Sequence, residues 1–415
     1  MTARIMTIYG TRPEAIKVAP VIRALEGSGK LDSVTLVTGQ HREMLDQVND
    51  FFGITPDHDL DVFAQGQSLN ELMGKMFTRL DRVLADDRPD AVLVQGDTST
   101  VVAAAQAAFH QDIKVIHLEA GLRSGDLFSP FPEEANRRLV SQLASLHLAA
   151  TSTARMNLLR EGTSEATIAV TGNTVIDALL QAVRAEAPFE DERIADAVAQ
   201  GRPIVLVTTH RRENWGSAME GVGRALRRIA LENPEWMIVL PAHRNPLVRE
   251  AVLPQVTDVA NVIISEPLPY DQFTHLLSAC RIVLTDSGGV QEEAPSLGKP
   301  VLVMRENTER PEAVVAGTVQ LIGTDEQRIV DEVSRLIHDQ RWYDAIANAV
   351  NPYGDGRAAD RTVAAIEHLF GLGDRLPDFG TDETGTAAAP VDEEVAEALS
   401  PTDLASLTAI PAGAK

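Results

Sequence analysis

Short apolar runs recur along this chain, and segments with helical periodicity separate them. In the first half the runs read RIMTIYG, VTLVTG, AVLVQGD, KVIHLEAG and LHLAATS, with amphipathic stretches such as SLNELMGKMFTRLDRVLAD between them. Apolar runs of strand length that alternate with helices predict parallel βαβ units. After about residue 200 the pattern starts again with PIVLVTTH, WMIVLPAH, NVIISEP, RIVLTDSGG, PVLVMRE and TVQLIG. Each of these runs is apolar enough to be buried on both faces of a sheet.

The repeated pattern predicts an α/β protein with two Rossmann-like, doubly wound domains that face a cleft. Open parallel sheets bind ligands beyond the carboxyl ends of their strands, and so we expect the ligand in that cleft. Helical patterns at 325–349 and 358–370 follow the last strand. The predicted boundaries are 1–172 for the first domain, 173–354 for the second, 355–371 for a closing helix that packs back on the first, and 372–415 for a tail. The tail carries nine acids against two bases, and we expect it to be disordered.

Composition excludes several classes of partner. A hydrophobic content of 44% over 415 residues is typical of a globular protein, and the net charge of -23 argues against nucleic acid or an anionic membrane as the partner. Cys280 is the only cysteine, which excludes an intramolecular disulfide and is typical of a reducing compartment. The first residues do not read as a signal peptide, and no apolar run reaches the roughly 20 residues of a membrane span. We therefore expect a cytoplasmic protein.

The segment YGTRPEAIK places Gly10 at the end of the first strand. Thr11 and Glu14 have the spacing of a capping box, which predicts that a helix begins there. The free N–H groups of that helix, with Arg12 and Lys17, would accept an anion. An ordinary strand–helix turn with two surface cations is the alternative. The segment is not G-x-G-x-x-G, and so nothing in it indicates a nicotinamide cofactor.

Carboxylates follow two later strands of the first half. GDTST and HLEAGLRSGD place Asp97 and Glu119 at predicted strand ends, and PFPEEANRRL places Glu133 and Glu134 at a helix start. Each acid alone could be a cap or a partner of a helix dipole. Their convergence on one cleft favours acid–base chemistry instead.

A metal site is the competing interpretation of these acids, with His117 and His210 as further ligands. The chain has no H-E-x-x-H motif and no Asp-x-Asp near a predicted strand end. We therefore expect no metal.

The second half carries cations where its strands end. THRRENWG and LPAHRNP each follow a strand with a His-Arg pair, and RENTERPEA adds two more arginines. These residues predict a cationic face opposite the carboxylates: His210, Arg211, His243, Arg244, Arg305 and Arg310.

The segment LTDSGGVQEEAPSLGKP combines a turn suited to an anion with two acids one helical turn later. Ser287, Gly288 and Gly289 can present backbone N–H groups to a diphosphate. Glu292 and Glu293 would repel a bare phosphate, but Glu293 could accept hydrogen bonds from ribose hydroxyls. The pattern therefore indicates a nucleoside diphosphate, with a sugar as the most plausible group attached to it.

Taken in order, GTRPEAIK, GDTST, EAGLRSGD, PEEANRRL, TGNTVIDAL, THRRENWG, TDSGGVQEEAPSLGKPVLVMRENTERPEAV and NPYGDG resemble the non-hydrolysing UDP-N-acetylglucosamine 2-epimerases over about 1–370. The resemblance implies a glycosyltransferase-B-like fold, a homodimer, and reversible conversion of UDP-GlcNAc to UDP-ManNAc without a cofactor. It implies these catalytic residues: Asp97, Glu119, Glu133 and His210. It implies these residues for UDP: Arg12, Lys17, His243, Phe273, Ser287, Gly288, Gly289, Glu293 and Arg310. It links activation by substrate to Gln40, Glu133, Arg211 and His243.

Three alternatives stay open at this point. A glycosyltransferase of the same architecture would use the same diphosphate site, and a hydrolysing epimerase would differ only in the capture of an intermediate by water. A catalytically silent nucleotide-sugar sensor is the third, and the intact set of Asp97, Glu119, Glu133 and His210 argues against it.

Overall fold

The computed structural model describes residues 2–40, 42–64, 66–185, 187–209, 217–308 and 310–381. Within these ranges the chain forms two compact units, each built around a parallel sheet. The first unit comprises 2–178 with 353–381, and the second comprises 179–352. The predicted α/β class with two doubly wound sheets is confirmed.

The sheet of the first unit has seven parallel strands. In chain order they are β1 (Ala3–Tyr9), β2 (Leu31–Val37), β3 (His58–Asp59), β4 (Ala91–Gln95), β5 (Lys114–Ala120), β6 (Leu146–Ala149) and β7 (Ile168–Val170). Their spatial order is β3-β2-β1-β4-β5-β6-β7. The order reverses between β1 and β4, where a doubly wound sheet opens a crevice for a ligand. The five strands predicted in this half are confirmed; β3 and β7 have two and three residues, too few for a recognisable apolar run.

Helices cover both faces of this first sheet. They are α1 (Arg12–Gly27), α2 (Arg42–Phe52), α3 (Leu69–Asp87), α4 (Ser99–His110), α5 (Glu133–Leu143), α6 (Ser152–Arg160) and the start of α7 (Thr174–Arg184). The helix α3 shows how the sequence builds this layer, since Met76, Leu80 and Leu84 recur every four residues and are fully buried.

The sheet of the second unit has six parallel strands in the order β10-β9-β8-β11-β12-β13. They are β8 (Ile204–Thr208), β9 (Met237–Pro241), β10 (Val262–Ser265), β11 (Ile282–Thr285), β12 (Val301–Val303) and β13 (Val319–Leu321). All six were predicted. The helices are α8 (Glu192–Ala199), α9 (Ser217–Glu232), α10 (Pro246–Val256), α11 (Tyr270–Ala279), α12 (Gly288–Glu293), α13 (Pro311–Val315), α14 (Glu326–His338) and α15 (Gln340–Ala347).

The last helix, α16 (Ala358–Leu369), belongs to the first unit and contacts α1. Its N-terminus is held by Asp177, whose carboxylate accepts hydrogen bonds from Ala358 N at 3.2 Å and Ala359 N at 2.9 Å. Asp177 lies in the part of α7 that belongs to the first unit, and so this contact joins α16 to α7.

The ordered chain continues beyond residue 371, where the sequence predicts the tail to begin. Phe379 N donates to Val170 O at 2.7 Å, and Val170 N donates to Asp378 Oδ1 at 3.1 Å. Residues 372–381 therefore bind the edge of the first sheet at β7, although their composition is polar. Residues 382–415 lie outside the described residues, and disorder there stays a prediction.

In the parts of the chain that the structure describes, no helix combines the length and apolar character that crossing a membrane requires. Cys280 is buried, and burial raises the pKa of its thiol to about 12. The thiol is therefore protonated and unreactive at neutral pH.

Candidate functional site

Three loops of the first unit lie side by side at the carboxyl ends of its strands. Because β1, β4 and β5 are adjacent and parallel, their carboxyl ends lie side by side. The segments that follow these ends are GTRPE, GDTST and GLRSG, in that order. Lys17 contacts Glu119 at these strand ends, and Arg12 and Asp97 follow the ends of β1 and β4, as the sequence analysis expected.

Glu119 occupies an unusual backbone conformation. The pairing of β5 with β6 shifts register between Leu118 and Ala120, and Glu119 has a φ of 64°. A non-glycine residue in the left-handed region costs about 1–3 kcal/mol and is held there only by its surroundings. Bulges of this kind turn a side chain away from the regular alternation of a strand.

The carboxylate of Glu119 is bound on both oxygens, and its side chain is only 9% exposed. Lys17 Nζ donates to Oε1 at 2.5 Å, and Asn173 Nδ2 donates to the same oxygen at 3.0 Å. Gln95 Nε2 donates to Oε2. Lys17, predicted to bind UDP, is thus also the counter-charge of a candidate catalytic acid.

Asp97 lies just before α4 and is bound by an arginine. Arg137 donates to Asp97 Oδ2 from Nε at 2.8 Å and from Nη2 at 2.7 Å. Asn136 Nδ2 donates to the backbone oxygen of Asp97 at 2.7 Å. Side chain and backbone are therefore both fixed by α5. We call Asp97, Glu119, Lys17 and Arg137 the carboxylate cluster.

Glu14 connects two of the loops at these strand ends. The predicted capping box is present: Glu14 Oε2 accepts from Thr11 N at 2.7 Å and from Gly10 N at 2.8 Å. Its other oxygen accepts from Thr98 Oγ1 at 2.5 Å, a contact across 84 residues that the local motif could not indicate. Burial raises the pKa of Glu14, although the hydrogen bonds act against it.

The two acids at the start of α5 have different surroundings. Glu134 is fully buried and accepts hydrogen bonds from Ser124 N at 2.9 Å and from Arg138 Nε at 3.2 Å. Burial acts to raise the pKa of Glu134, but these hydrogen bonds outweigh it and the pKa is lowered. Glu134 therefore holds the preceding loop, whereas Glu133 is partly exposed at the first position of the helix.

Gln40 and Arg12 complete the first unit's candidates. Gln40 Oε1 accepts from Thr100 Oγ1 at 3.0 Å, and Thr100 Oγ1 lies 3.1 Å from Thr38 Oγ1. A Cβ at Gly10 would overlap both threonine hydroxyls, which explains glycine there. Arg12 is partly exposed at the first residue of α1.

The second unit places a glycine turn against an arginine. A Cβ at Gly288 would lie 2.5 Å from Arg310 Nη1, and so only glycine lets the guanidinium lie on this backbone. Arg310 Nε donates to Glu292 Oε1 at 2.6 Å, and the side chain of Glu292 is 4% exposed. We call residues 287–293 with Arg310 the glycine–arginine turn.

The two acids of this turn have different surroundings. Glu292 orients Arg310, a function that the sequence analysis missed, while Glu293 is buried beside it. Gly289 is exposed, and a Cβ there would meet no atom within 4 Å. Ser287 N donates to Thr285 Oγ1 at 2.9 Å.

The remaining candidates of the second unit are spread more widely. His243 is exposed, and its Nδ1 accepts from Asn245 N at 3.2 Å. Phe273 is partly buried on α11. Arg305 is only 5% exposed, and its place in the predicted cationic face stays a prediction. His210 and Arg211 lie outside the described residues, and their roles stay predictions.

Comparison with known proteins supplies the family. A family model described as UDP-N-acetylglucosamine 2-epimerase matches residues 23–367. The UDP-N-acetylglucosamine 2-epimerase of Escherichia coli strain K12 is 50% identical over 371 residues, which cover 88% of this chain and 98% of that protein.

Solved structures agree with this match. The UDP-GlcNAc 2-epimerase of Neisseria meningitidis bound to UDP-GlcNAc superposes with a TM-score of 0.78 at 45% identity, over 88% of this chain and 100% of that one. A glycotransferase of kitacinnamycin, at 14% identity and a TM-score of 0.58 over 89% of this chain and 99% of that one, shares the fold alone. The chain therefore belongs to the UDP-N-acetylglucosamine 2-epimerase family.

Proposed function

We propose that this protein interconverts UDP-GlcNAc and UDP-ManNAc by epimerisation at C2, without net hydrolysis. The observation that carries the proposal is the carboxylate cluster, in which Asp97 and Glu119 are fixed at adjacent strand ends. A pure binding module has no need of a carboxylate held in a left-handed bulge. Epimerisation, the activity after which the family is described, is a reaction that such paired acids suit.

The chemistry requires acids on the sugar and cations on the diphosphate. The C2–H bond is not next to a carbonyl, and direct removal of its proton by a carboxylate is too costly. If UDP leaves from C1, positive charge grows at C1 and the C2 proton becomes removable, which yields a 2-acetamidoglucal and UDP. A proton delivered to the other face, followed by re-addition of UDP, gives the epimer.

We assign the steps to the residues as follows. Asp97 takes the C2 proton of UDP-GlcNAc, and Glu119 or Glu133 serves the opposite face. Lys17 lies against Glu119 and offers the positive charge that a departing diphosphate needs. His210 is kept as a further catalytic candidate from the sequence pattern.

The glycine–arginine turn is proposed to bind the nucleotide. Arg310 lies over the backbone of Gly288, and its hydrogen bond to Glu292 holds the guanidinium group in that position. Glu293 is the proposed partner of the ribose hydroxyls. The other proposed contacts of UDP are Arg12, Lys17, His243, Phe273, Ser287 and Gly289.

Four finer points follow the resemblance: a homodimer, action in the cytoplasm, no cofactor or metal, and activation by substrate through Gln40, Glu133, Arg211 and His243. Among the described residues, no cluster of three His, Cys, Asp or Glu side chains could hold a metal ion.

Incubation of the purified protein with UDP-GlcNAc alone separates the candidate functions. An epimerase of the proposed type produces UDP-ManNAc up to a fixed ratio with the substrate. Free ManNAc with UDP would indicate the hydrolysing reaction, and turnover only after addition of an acceptor would indicate a glycosyltransferase. Loss of activity after exhaustive chelation, restored by a divalent ion, would contradict the metal-free mechanism.

A further inference from the structure

Both neighbours of Asp97 in the chain are held by buried side chains from other elements. Thr98 is bound by Glu14, as described above. Gly96, on the other side, is bound twice by β5: its N–H donates to Leu118 O at 3.0 Å, and its carbonyl lies 2.7 Å from His117 Nε2. The backbone that carries Asp97 is therefore fixed on each side of the residue.

The contact between His117 and Gly96 identifies the form of the imidazole. A carbonyl oxygen only accepts, and so Nε2 must carry the hydrogen. His117 is fully buried, and its Nδ1 has no hydrogen-bond partner in the described part of the chain. A second proton would bury an N–H without an acceptor, and burial accordingly lowers the pKa of His117 to about 4. The side chain is thus a neutral donor across the physiological pH range.

The same contact lies between the two carboxylates of the cluster. Gly96 precedes Asp97, with a φ of 80°, and His117 lies two residues before the bulged Glu119. A Cβ at Gly96 would lie 3.7 Å from Glu119 Oε2, which shows how closely the two strand ends approach. A change in the position of Gly96 O would therefore change the separation of Asp97 from Glu119.

We propose that His117 is a positioning residue, whose Nε2–H holds the Gly96 carbonyl and thereby fixes Asp97 relative to Glu119. The inference rests on the proposed function, since it gives Asp97 the role of the base. His117, one of the metal ligands that the sequence analysis considered, cannot bind a metal through Nε2, because that nitrogen donates its hydrogen to Gly96 O.

A purely structural role for a buried histidine is the competing explanation, and the fold offers a matched control. His147 pairs with His117 in the register of β5 and β6 and is also buried. Its nitrogens lie 3.0 Å from Ser141 O and 3.3 Å from Thr167 O. Neither carbonyl adjoins Asp97 or Glu119 in the chain, although Ser141 lies on α5, four residues after Arg137. The same substitution at His147 therefore tests the loss of a buried histidine that makes no direct contact with the backbone beside Asp97.

Two amide substitutions at His117 distinguish the position of the N–H donor from the mere presence of a polar side chain. The amide nitrogen of Gln ends near the position of the imidazole Nε2, whereas Asn ends about one bond short. We expect His117→Asn to lower kcat about 10- to 100-fold, because small misplacements of a catalytic group have effects of this size. We expect His117→Gln to recover most of the activity, with KM and the Kd of UDP within about 2-fold in both variants, since neither moves a proposed UDP contact.

A double-mutant cycle shows whether the effect passes through Asp97. In an Asp97→Asn background, His117→Asn should lower the residual kcat by less than about 3-fold, because the base that it positions is already lost. Where the Asp97→Asn protein is too slow to measure, the Asn and Gln pair and the His147→Asn control decide.

Three results would overturn the inference if the wild-type protein is an active epimerase. The first is an equal loss of kcat in His117→Asn and His147→Asn, and the second is an equal loss of kcat in His117→Asn and His117→Gln. The third is a double-mutant cycle in which the effects of His117→Asn and Asp97→Asn on kcat are independent. A wild-type protein that does not epimerise UDP-GlcNAc would remove the proposed function itself, and the two failures are therefore distinguishable.

Discussion

The carboxylate cluster and the glycine–arginine turn hold their charges in different ways. In the cluster each carboxylate is paired with a cation and locked by further side chains from other loops, and one residue adopts a strained backbone. In the turn the ion pair with Glu292 directs Arg310 over a glycine, and the adjacent Gly289 is exposed. The difference is the one that the proposed function requires, since proton transfer tolerates little displacement of the acids whereas a nucleotide contact does not take part in the reaction.

The largest expected effect is on the cluster. Asp97→Asn keeps the volume of the side chain and removes the base, and kcat should fall about 100- to 10,000-fold, the usual contribution of general acid–base catalysis. UDP affinity, measured by calorimetry, should stay within about 2-fold because the base does not touch the nucleotide. A variant that loses UDP binding as strongly as kcat would break the division of labour between the two regions.

Two adjacent glycines provide the matching test of the turn. Gly288→Ala places a methyl group against the flexible end of Arg310, and so the protein should fold while the guanidinium moves away. The Kd of UDP should rise about 10- to 100-fold, the loss of one charge-assisted contact worth about 1.5–3 kcal/mol. Arg310→Ala and Glu293→Ala should weaken UDP binding by a similar amount.

Gly289→Ala keeps the backbone N–H that is proposed to bind the diphosphate, and its added methyl group meets no protein atom within 4 Å. It should fold and melt like the wild type and should weaken UDP binding less than Gly288→Ala does. Equal losses at Gly288 and Gly289 would show that nucleotide binding depends on the open backbone rather than on the position of Arg310.

A third prediction concerns Asp177, outside both regions. Burial raises the pKa of Asp177 from 3.8 to about 6, despite its hydrogen bonds from α16. Because the folded state binds the proton more tightly, stability should fall as pH rises from about 4 to above 6, by at most about 3 kcal/mol. Asp177→Asn keeps an acceptor for α16 and should remove this part of the pH dependence.

Thermal melting of both proteins between pH 4 and 8 measures this difference. The melting temperature of Asp177→Asn minus that of the wild type should increase with pH and become constant above about pH 7. An advantage that is the same at every pH would show that the ionisation of Asp177 is not coupled to folding.

The smallest effect is expected at the C-terminal end. Truncation after residue 381 should leave kcat and the melting temperature unchanged, because the segment removed is too polar to support a core. Truncation after 371 should lower the melting temperature by a few degrees, since it removes the contacts of Asp378 and Phe379 with β7. Loss of activity in the 381 truncation would give the tail a catalytic role that its composition does not indicate.

Sequence reasoning succeeded where a feature is local and failed where it depends on distant pairing. Eleven strands and the capping box of Thr11 and Glu14 follow from patterns a few residues long, and both were predicted. The bulge at Glu119 depends on the register of β5 against β6, which no local pattern encodes.

The two acids of the glycine–arginine turn illustrate the same limit. Helical spacing places Glu292 and Glu293 one turn beyond the glycines, but only the position of Arg310, 18 residues after Glu292, shows that Glu292 binds it. Gln95, the last residue of β4, and Asn173, immediately before α7, are polar residues that could have indicated the site, since both bind Glu119.

The most direct test of the mechanism is epimerisation of UDP-GlcNAc in heavy water, with the product analysed by NMR and mass spectrometry. In the proposed mechanism, two carboxylates act on opposite faces of the sugar, because one acid cannot easily serve both, and each exchanges its proton with solvent. We therefore predict UDP-ManNAc with deuterium at C2. UDP-ManNAc formed at full rate with hydrogen at C2 would contradict elimination and re-addition, and would favour internal return of the proton or a redox route.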